Sequence, residues 1–327
     1  AIGNYALDAL TSGDNNTAVG HLAMTTHTTG SNNTAFGHSA LEDNTTGSGN
    51  TAIGDHTLSN NETADSNTAI GRYAMQSNTT GAANIAVGHQ ALTANTTGTR
   101  NTAIGYQAYD ASDTENDNIA IGYQAMTTNT AGGTKNTAIG NYAMDAHTSG
   151  DQNTAVGHNA LSTNTTAENN VAVGVDALLT NDASNNTGIG TNALKLNTTG
   201  DQNTAVGHNA LTSNTTAAQN TAVGQESLKA NTTGTGQVAV GAEALKTNTT
   251  GSYNTAVGLN ALENSDADSN VAVGTSALRA NTTGAQNVAV GRNALLANTT
   301  GGRNIAIGMS ALDACDTETD NIAIGFE

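Results

Sequence analysis

Asn84-Ile85-Ala86-Val87-Gly88 returns in the next repeat as Asn101-Thr102-Ala103-Ile104-Gly105, and variants of this phrase recur along the chain. The closing glycine falls at Gly3, Gly20, Gly37, Gly54 and onward to Gly325, and 16 of the 19 intervals have that same length. The exceptions are one residue longer, from Gly122 to Gly140, or one shorter, from Gly174 to Gly190 and from Gly258 to Gly274. So short a period leaves no room for a helix-turn-helix repeat, and no heptad runs through it. It fits one coil of a solenoid, each repeat stacking on the last. The chain therefore reads as all-β, a parallel β-solenoid (β-roll) of about nineteen 17-residue coils, with 1–327 a single repeat array. Both ends fall inside a phrase, so the array reads as a window from a longer repetitive polypeptide.

Within the phrase, the residue before the glycine is Val or Ile in 19 of 20 copies, Phe36 being the exception. The residue before that is Ala everywhere but Gly188, and the one before that is Thr, Val or Ile. A β-branched residue at every second position reads as a short strand. The Val/Ile side is expected to face the coil interior, with Val19, Val87, Val156 and Val223 in one stacked row. Alanine then faces outward, and a site that admits nothing larger than a methyl needs a close neighbour. The row of Ala18, Ala35, Ala52, Ala69 and Ala155 is thus a candidate seam between parallel chains. The competing reading packs alanine inside a flattened coil.

After the glycine come two variable residues, then Ala-Leu in most copies, with Leu41, Leu92, Leu161 and Leu211 as core fillers. Asn-Thr-Thr-Gly, as at 44–47, forms a turn, since Asn and Gly tolerate positive φ and Thr bonds nearby backbone. The Asn that opens each phrase (Asn16, Asn33, Asn50, Asn67, Asn153) is expected to form a structural ladder of stacked amides. That row is expected to matter more than the turn Asn row.

The totals narrow the class. Aromatic residues are 3%, Trp is absent and charged residues are 11%, too little bulk for the core of a globular enzyme. A disordered chain would carry more charge or proline, and Pro is absent here. The net charge of −18 argues against nucleic acid and against an anionic membrane surface, because no basic stripe faces phosphate. No stretch approaches the roughly 20 apolar residues of a membrane helix, so no direct membrane insertion is expected from this segment.

Asn84 to Ala91 (Asn-Ile-Ala-Val-Gly-His-Gln-Ala) and Asn170-Val171-Ala172-Val173-Gly174 resemble the head repeat of trimeric autotransporter adhesins of the YadA type, which reads roughly Asn-Ser-Val-Ala-Ile-Gly-x-x-Ser. Similar arrays occur in bacterial and phage-like fibre proteins. The resemblance extends over every repeat. It implies a β-roll with three chains side by side, displayed at a bacterial surface for attachment to a surface or host receptor. This chain departs in its longer coil and its added Ala-Leu and Asn-Thr-Thr-Gly arm.

Few residues invite chemistry. His21, His38, His89, His158 and His208 each follow a phrase glycine, and His21 and His38 lie in adjacent coils within reach of one metal. Asp55, Arg72, Tyr106, Val175 and Leu259 interrupt that column, so the histidines read as variable surface residues and no metal site is assigned. Two acidic segments, Asp113, Glu115, Asp117 and Asp316, Glu318, Asp320, place alternating carboxylates on a turn and are candidate Ca²⁺ ligands, without the spacing of a known loop. Ten Asn-Thr-Thr sequons, Asn44 and Asn164 among them, lie on adjacent coils too close for a glycan on each. Cys315 has no accompanying histidine, and no nucleophile–base–acid set appears, so neither catalysis nor a cofactor is expected.

The reading that results is an extracellular or cell-surface structural protein: a fibre segment, head or spacer, self-associated as a homo-oligomer, with a trimer favoured. The alternative is an ice-binding solenoid using stacked turn pairs such as Thr45-Thr46, Thr79-Thr80 and Thr96-Thr97.

Overall fold

The structure, a computed structural model, describes residues 1–129 and 132–326. Its regular elements are nineteen three-residue strands, from β1 (Thr17–Val19) to β19 (Ile322–Ile324), all parallel to their sheet neighbours in a β-solenoid. Two compact units divide the chain. Ala1–Glu168 carries β1 to β9 (Thr154–Val156), and Asn169–Glu327 carries β10 (Val171–Val173) to β19.

Register is set phrase on phrase. In the first unit Thr51, Ala52 and Ile53 pair with Thr68, Ala69 and Ile70, and in the second Thr204, Ala205 and Val206 pair with Thr221, Ala222 and Val223. The pairing runs on beyond the strands: Leu41 N–H donates to Thr57 O at 3.0 Å and Thr45 N–H to Glu62 O at 2.9 Å. Each coil thus satisfies its backbone through its neighbours along most of its perimeter.

The interior is made of two alanine rows, one bulky row and two asparagine rows. Ala52, Ala69, Ala74, Met75, Asn67 and Asn78 show the pattern, all fully buried. The bulky row holds the expected leucines: Leu41, Leu92, Leu161 and Leu211 have no exposed surface. These leucines adopt positive φ (52° at Leu41, 54° at Leu161), as do the residues two before them, such as Ser39 at 53° and His56 at 51°. A left-handed non-glycine residue costs about 1–2 kcal/mol. Burying a leucine contributes about 1.5–3 kcal/mol, which offsets it, and paired left-handed residues fold this side of the coil into a tight corner.

The strand faces inward the opposite way from the sequence reading. Ala18, Ala35, Ala52, Ala69 and Ala155 are fully buried inside their own coils and form no seam with another chain. Val19, Val87 and Val156 are half-exposed and Val223 is exposed, so the Val/Ile row lies outside. In a three-residue strand only the middle side chain points one way, and the space behind it is filled by the leucine row. Gly188 shows the limit: a Cβ there would lie 3.1 Å from Leu178 Cγ.

Candidate functional site

Two features reach solvent in an ordered form: the outer strand face and an edge of stacked rings. On the strand face the residues flanking each buried alanine point outward. In the first unit Phe36, Ile53, Ile70, Ile104 and Ile139 form an exposed apolar row, with Phe36 at 57%; in the second Ile189, Val223, Val240, Val257 and Ile307 do so. Beside them runs a second outward row of Thr, Val or Ile, such as Thr34, Thr51 and Thr68. None of the nineteen strands contains a charged residue.

The ring edge lies in the first unit and joins Tyr5, His21, His38, His56, Tyr73, His89, Tyr106, Tyr123, Tyr142 and His158 in consecutive contacts 4.8–6.2 Å between centroids. His21 and His38 stack at 5.3 Å and 6°, and Tyr106 and Tyr123 at 5.3 Å and 9°. Where the first variable position is Asp55 or Arg72, the second supplies the ring as His56 or Tyr73. Within the first unit the interrupted histidine column of the sequence is therefore a continuous ladder, visible only when both columns are read together, whereas His208 stands outside it. In the second unit the equivalent position is Asp, Asn, Glu or Ser, and Glu226 there accepts from Lys246 and Lys229, each at 2.9 Å, which hold its carboxyl down at about 2.

The asparagines sit inside the coil. Asn33, Asn50, Asn67 and Asn153 are fully buried and Asn16 half-buried. Their amides, however, brace strand to turn. Asn50 Nδ2 donates to Ala64 O at 2.7 Å, and Asn50 Oδ1 accepts the Asn67 N–H at 2.9 Å. Amide-to-amide bonds occur in this row at its ends, Asn33 to Asn16 at 3.2 Å and Asn321 to Asn304 at 3.1 Å, and run more regularly along the turn row, where Asn61, Asn78 and Asn95 each donate to the asparagine 17 residues earlier at 2.8–3.0 Å. The turn asparagine also ties its own loop, Asn44 Nδ2 donating to Gly47 O at 3.0 Å. Both rows are thus structural, and each amide makes bonds both within its coil and to the next. The sequon asparagines Asn44, Asn78, Asn95 and Asn164 are fully buried, which leaves their amides inaccessible to a glycan.

The acidic segments do not converge on a centre. Glu115 stands where most turns have glycine, and its Oε2 accepts Asp113 N–H, Thr114 N–H and the Ser112 hydroxyl at 2.9–3.1 Å. Asp117 is gripped by Arg100 at 2.5 and 2.9 Å, and Asp113 accepts the Thr96 hydroxyl. The second segment repeats this scheme. Glu318 caps Asp316 and Thr317, Arg303 grips Asp320 at 2.5 and 2.7 Å, and Asp316 accepts the Thr299 hydroxyl. The turn's N–H groups hold Glu318 below the usual carboxylate range, and the arginines do the same to Asp117 and Asp320. The carboxylates serve turn and coil-to-coil contacts. Burial pushes the Cys315 thiol up, and Glu318 beside it adds to the effect, the opposite of nucleophile activation.

One coil shows coordinated replacement. Tyr109 takes the leucine position and is fully buried, while Ser112 takes the turn asparagine position. The Tyr109 hydroxyl accepts from Asn118 Nδ2 at 2.5 Å and Asn129 Nδ2 at 3.0 Å, so the phenol supplies the acceptor that the shorter serine cannot. Desolvation holds this phenol well above its ordinary pKa.

No protein-family model matches the chain, and no curated protein matches it.

Proposed function

We propose that this chain is a structural segment of an extracellular fibre or surface head, assembled from parallel copies of itself, with three copies as the resemblance to adhesin heads implies. The observation that supports this is the outward Val/Ile row. The chain carries a net charge of −18, yet the strand phrase is uncharged throughout, so this face is where two acidic chains meet at least electrostatic cost. Its side chains repeat at the coil spacing, about 4.8 Å, and a second copy offers the same spacing. Burying such rows against each other would contribute about 25 cal/mol per Å².

Sedimentation of the unmutated chain at micromolar concentration tests the proposal. The expected result is an oligomer, with a folded monomer for a variant carrying Ile104→Lys and Val240→Lys, both exposed positions. A folded monomer for the unmutated chain would remove the self-assembly reading.

The same face carries a second reading. Thr34, Thr51 and Thr68 beside Phe36, Ile53 and Ile70 present hydroxyls and methyls in a register that could order water as ice does. The turn threonines are less suited, because the first of each pair spends its hydroxyl on the next coil, as Thr79 does on Thr96 O at 3.1 Å. Thermal hysteresis from a monomeric chain would favour this second reading over the fibre.

A further inference from the structure

Among the described residues, the one trio of metal-ligating type whose ligand atoms lie within 4.8 Å of one another is His38, Asp55 and His56. It sits in the ring ladder of the first unit. His38 Nδ1 lies 2.9 Å from Asp55 Oδ1, and His56 Nδ1 lies 3.0 Å from the same oxygen. The fold fixes this meeting. His38 and Asp55 occupy the same position in neighbouring coils, and His56 follows Asp55 with φ of 51°. That left-handed residue brings its ring to the edge where His38 stands, 4.8 Å away between centroids. Further along the ladder His21 stacks on His38, which limits the rotation of the His38 ring.

We propose that His38, Asp55 and His56 bind a borderline divalent transition metal of the Zn²⁺ class. Two imidazole nitrogens and one carboxylate oxygen are a donor set suited to Zn²⁺, Ni²⁺ or Cu²⁺, and the exposed edge leaves further positions to water. Binding exchanges the two N–H···O contacts for coordination: each imidazole coordinates through an unprotonated Nδ1 with its one remaining proton on Nε2, and a ring that was doubly protonated releases its second proton to solvent.

Arg72 opposes the ion. Its Nε lies 3.2 Å from Asp55 Oδ2, and its Nη2 donates to the Tyr73 hydroxyl at 2.7 Å with the guanidinium 4.4 Å from that ring's centre. The arginine is therefore tethered beside the site, where its charge competes with a cation for Asp55.

The experiment is calorimetric titration of the untagged full chain with ZnCl₂, repeated with CoCl₂ to record the visible bands of coordinated cobalt. The expected result is one ion per chain. His56→Gln and Asp55→Asn should each weaken binding about tenfold or more and abolish the cobalt bands, while Arg72→Gln should strengthen binding severalfold. His208→Gln, which alters a histidine outside the ladder, should change nothing. Far-UV circular dichroism of each variant confirms that the coil is intact, as these side chains lie at the surface. Absence of Zn²⁺ binding in the unmutated chain, or binding unchanged in folded His56→Gln, would overturn the proposal. Weaker binding in Arg72→Gln would also count against it.

Discussion

At Gln237, one methylene changes the wiring of two rows. The asparagine that opens most other phrases braces strand to turn, as Asn220 does on Gly234 O at 2.9 Å, but the longer glutamine reaches past that carbonyl. Its Nε2 donates to Asn231 Oδ1 at 3.0 Å and Asn248 Oδ1 at 3.2 Å, inside the turn ladder. Asn248 Nδ2 is left without a hydrogen-bond partner. An unmet buried donor costs about 1–3 kcal/mol. Gln237→Asn should therefore raise stability by about 1 kcal/mol or more, seen as a higher denaturation midpoint with unchanged slope. A lower midpoint would mean that the glutamine contacts outweigh the stranded donor. Nothing in the sequence distinguishes this position as anything but a rare substitution. The consequence depends on the two asparagine rows lying a side chain apart inside the coil, which the linear spacing does not reveal.

At the scale of the strand and its corner, the phrase glycine is the most restrictive position. Gly105 has φ of 137°, and a Cβ there would stand 2.2 Å from the Gly122 carbonyl oxygen. Gly49, in the turn, has φ of 70° but nothing nearer than 3.7 Å to such a Cβ. Gly105→Ala should cost on the order of 3 kcal/mol or more, since strain and a backbone clash add. Gly49→Ala should cost about 1 kcal/mol, from the left-handed backbone alone. Equal shifts in denaturation midpoint for the two variants would contradict this. The existence of the strand was legible from its alternating β-branched residues. Its facing was not, because alternation defines two faces without saying which is inside. A position restricted to Ala fits a narrow interior as well as a seam, and the leucine row across the coil decides between them.

At the scale of the molecule, the period was enough to specify the fold, because one repeat is long enough to close a coil and bring each phrase onto the next. The exposed Val/Ile face and the ring ladder were not legible in the same way. The ladder alternates between two sequence columns, and only the left-handed backbone at the second brings both to one edge. Bonding between neighbouring coils makes another expectation. Deleting residues 207–223, one full period, should leave a β-rich chain that unfolds cooperatively, with a loss comparable to one coil's contribution. Deleting half that length should place strand residues against turn residues and abolish cooperative unfolding followed by circular dichroism. Survival of the half-period deletion with an unchanged transition would show that the stacking is less specific than its side-chain rows require.

The ring ladder also has an optical consequence. The chain has no Trp, and six of its seven tyrosines (Tyr5, Tyr73, Tyr106, Tyr109, Tyr123 and Tyr142) lie in the first unit, five of them on the ladder. Fixed rings held a few ångströms apart couple their electronic transitions. The near-ultraviolet dichroic signal of the protein is therefore dominated by Ala1–Glu168, with Tyr253 the lone tyrosine beyond it. Absorption bands near the tyrosine maximum report on the order of that half, whereas the peptide bands report on both. Recording the two together distinguishes loss of the first unit from loss of the second without attaching a label to either.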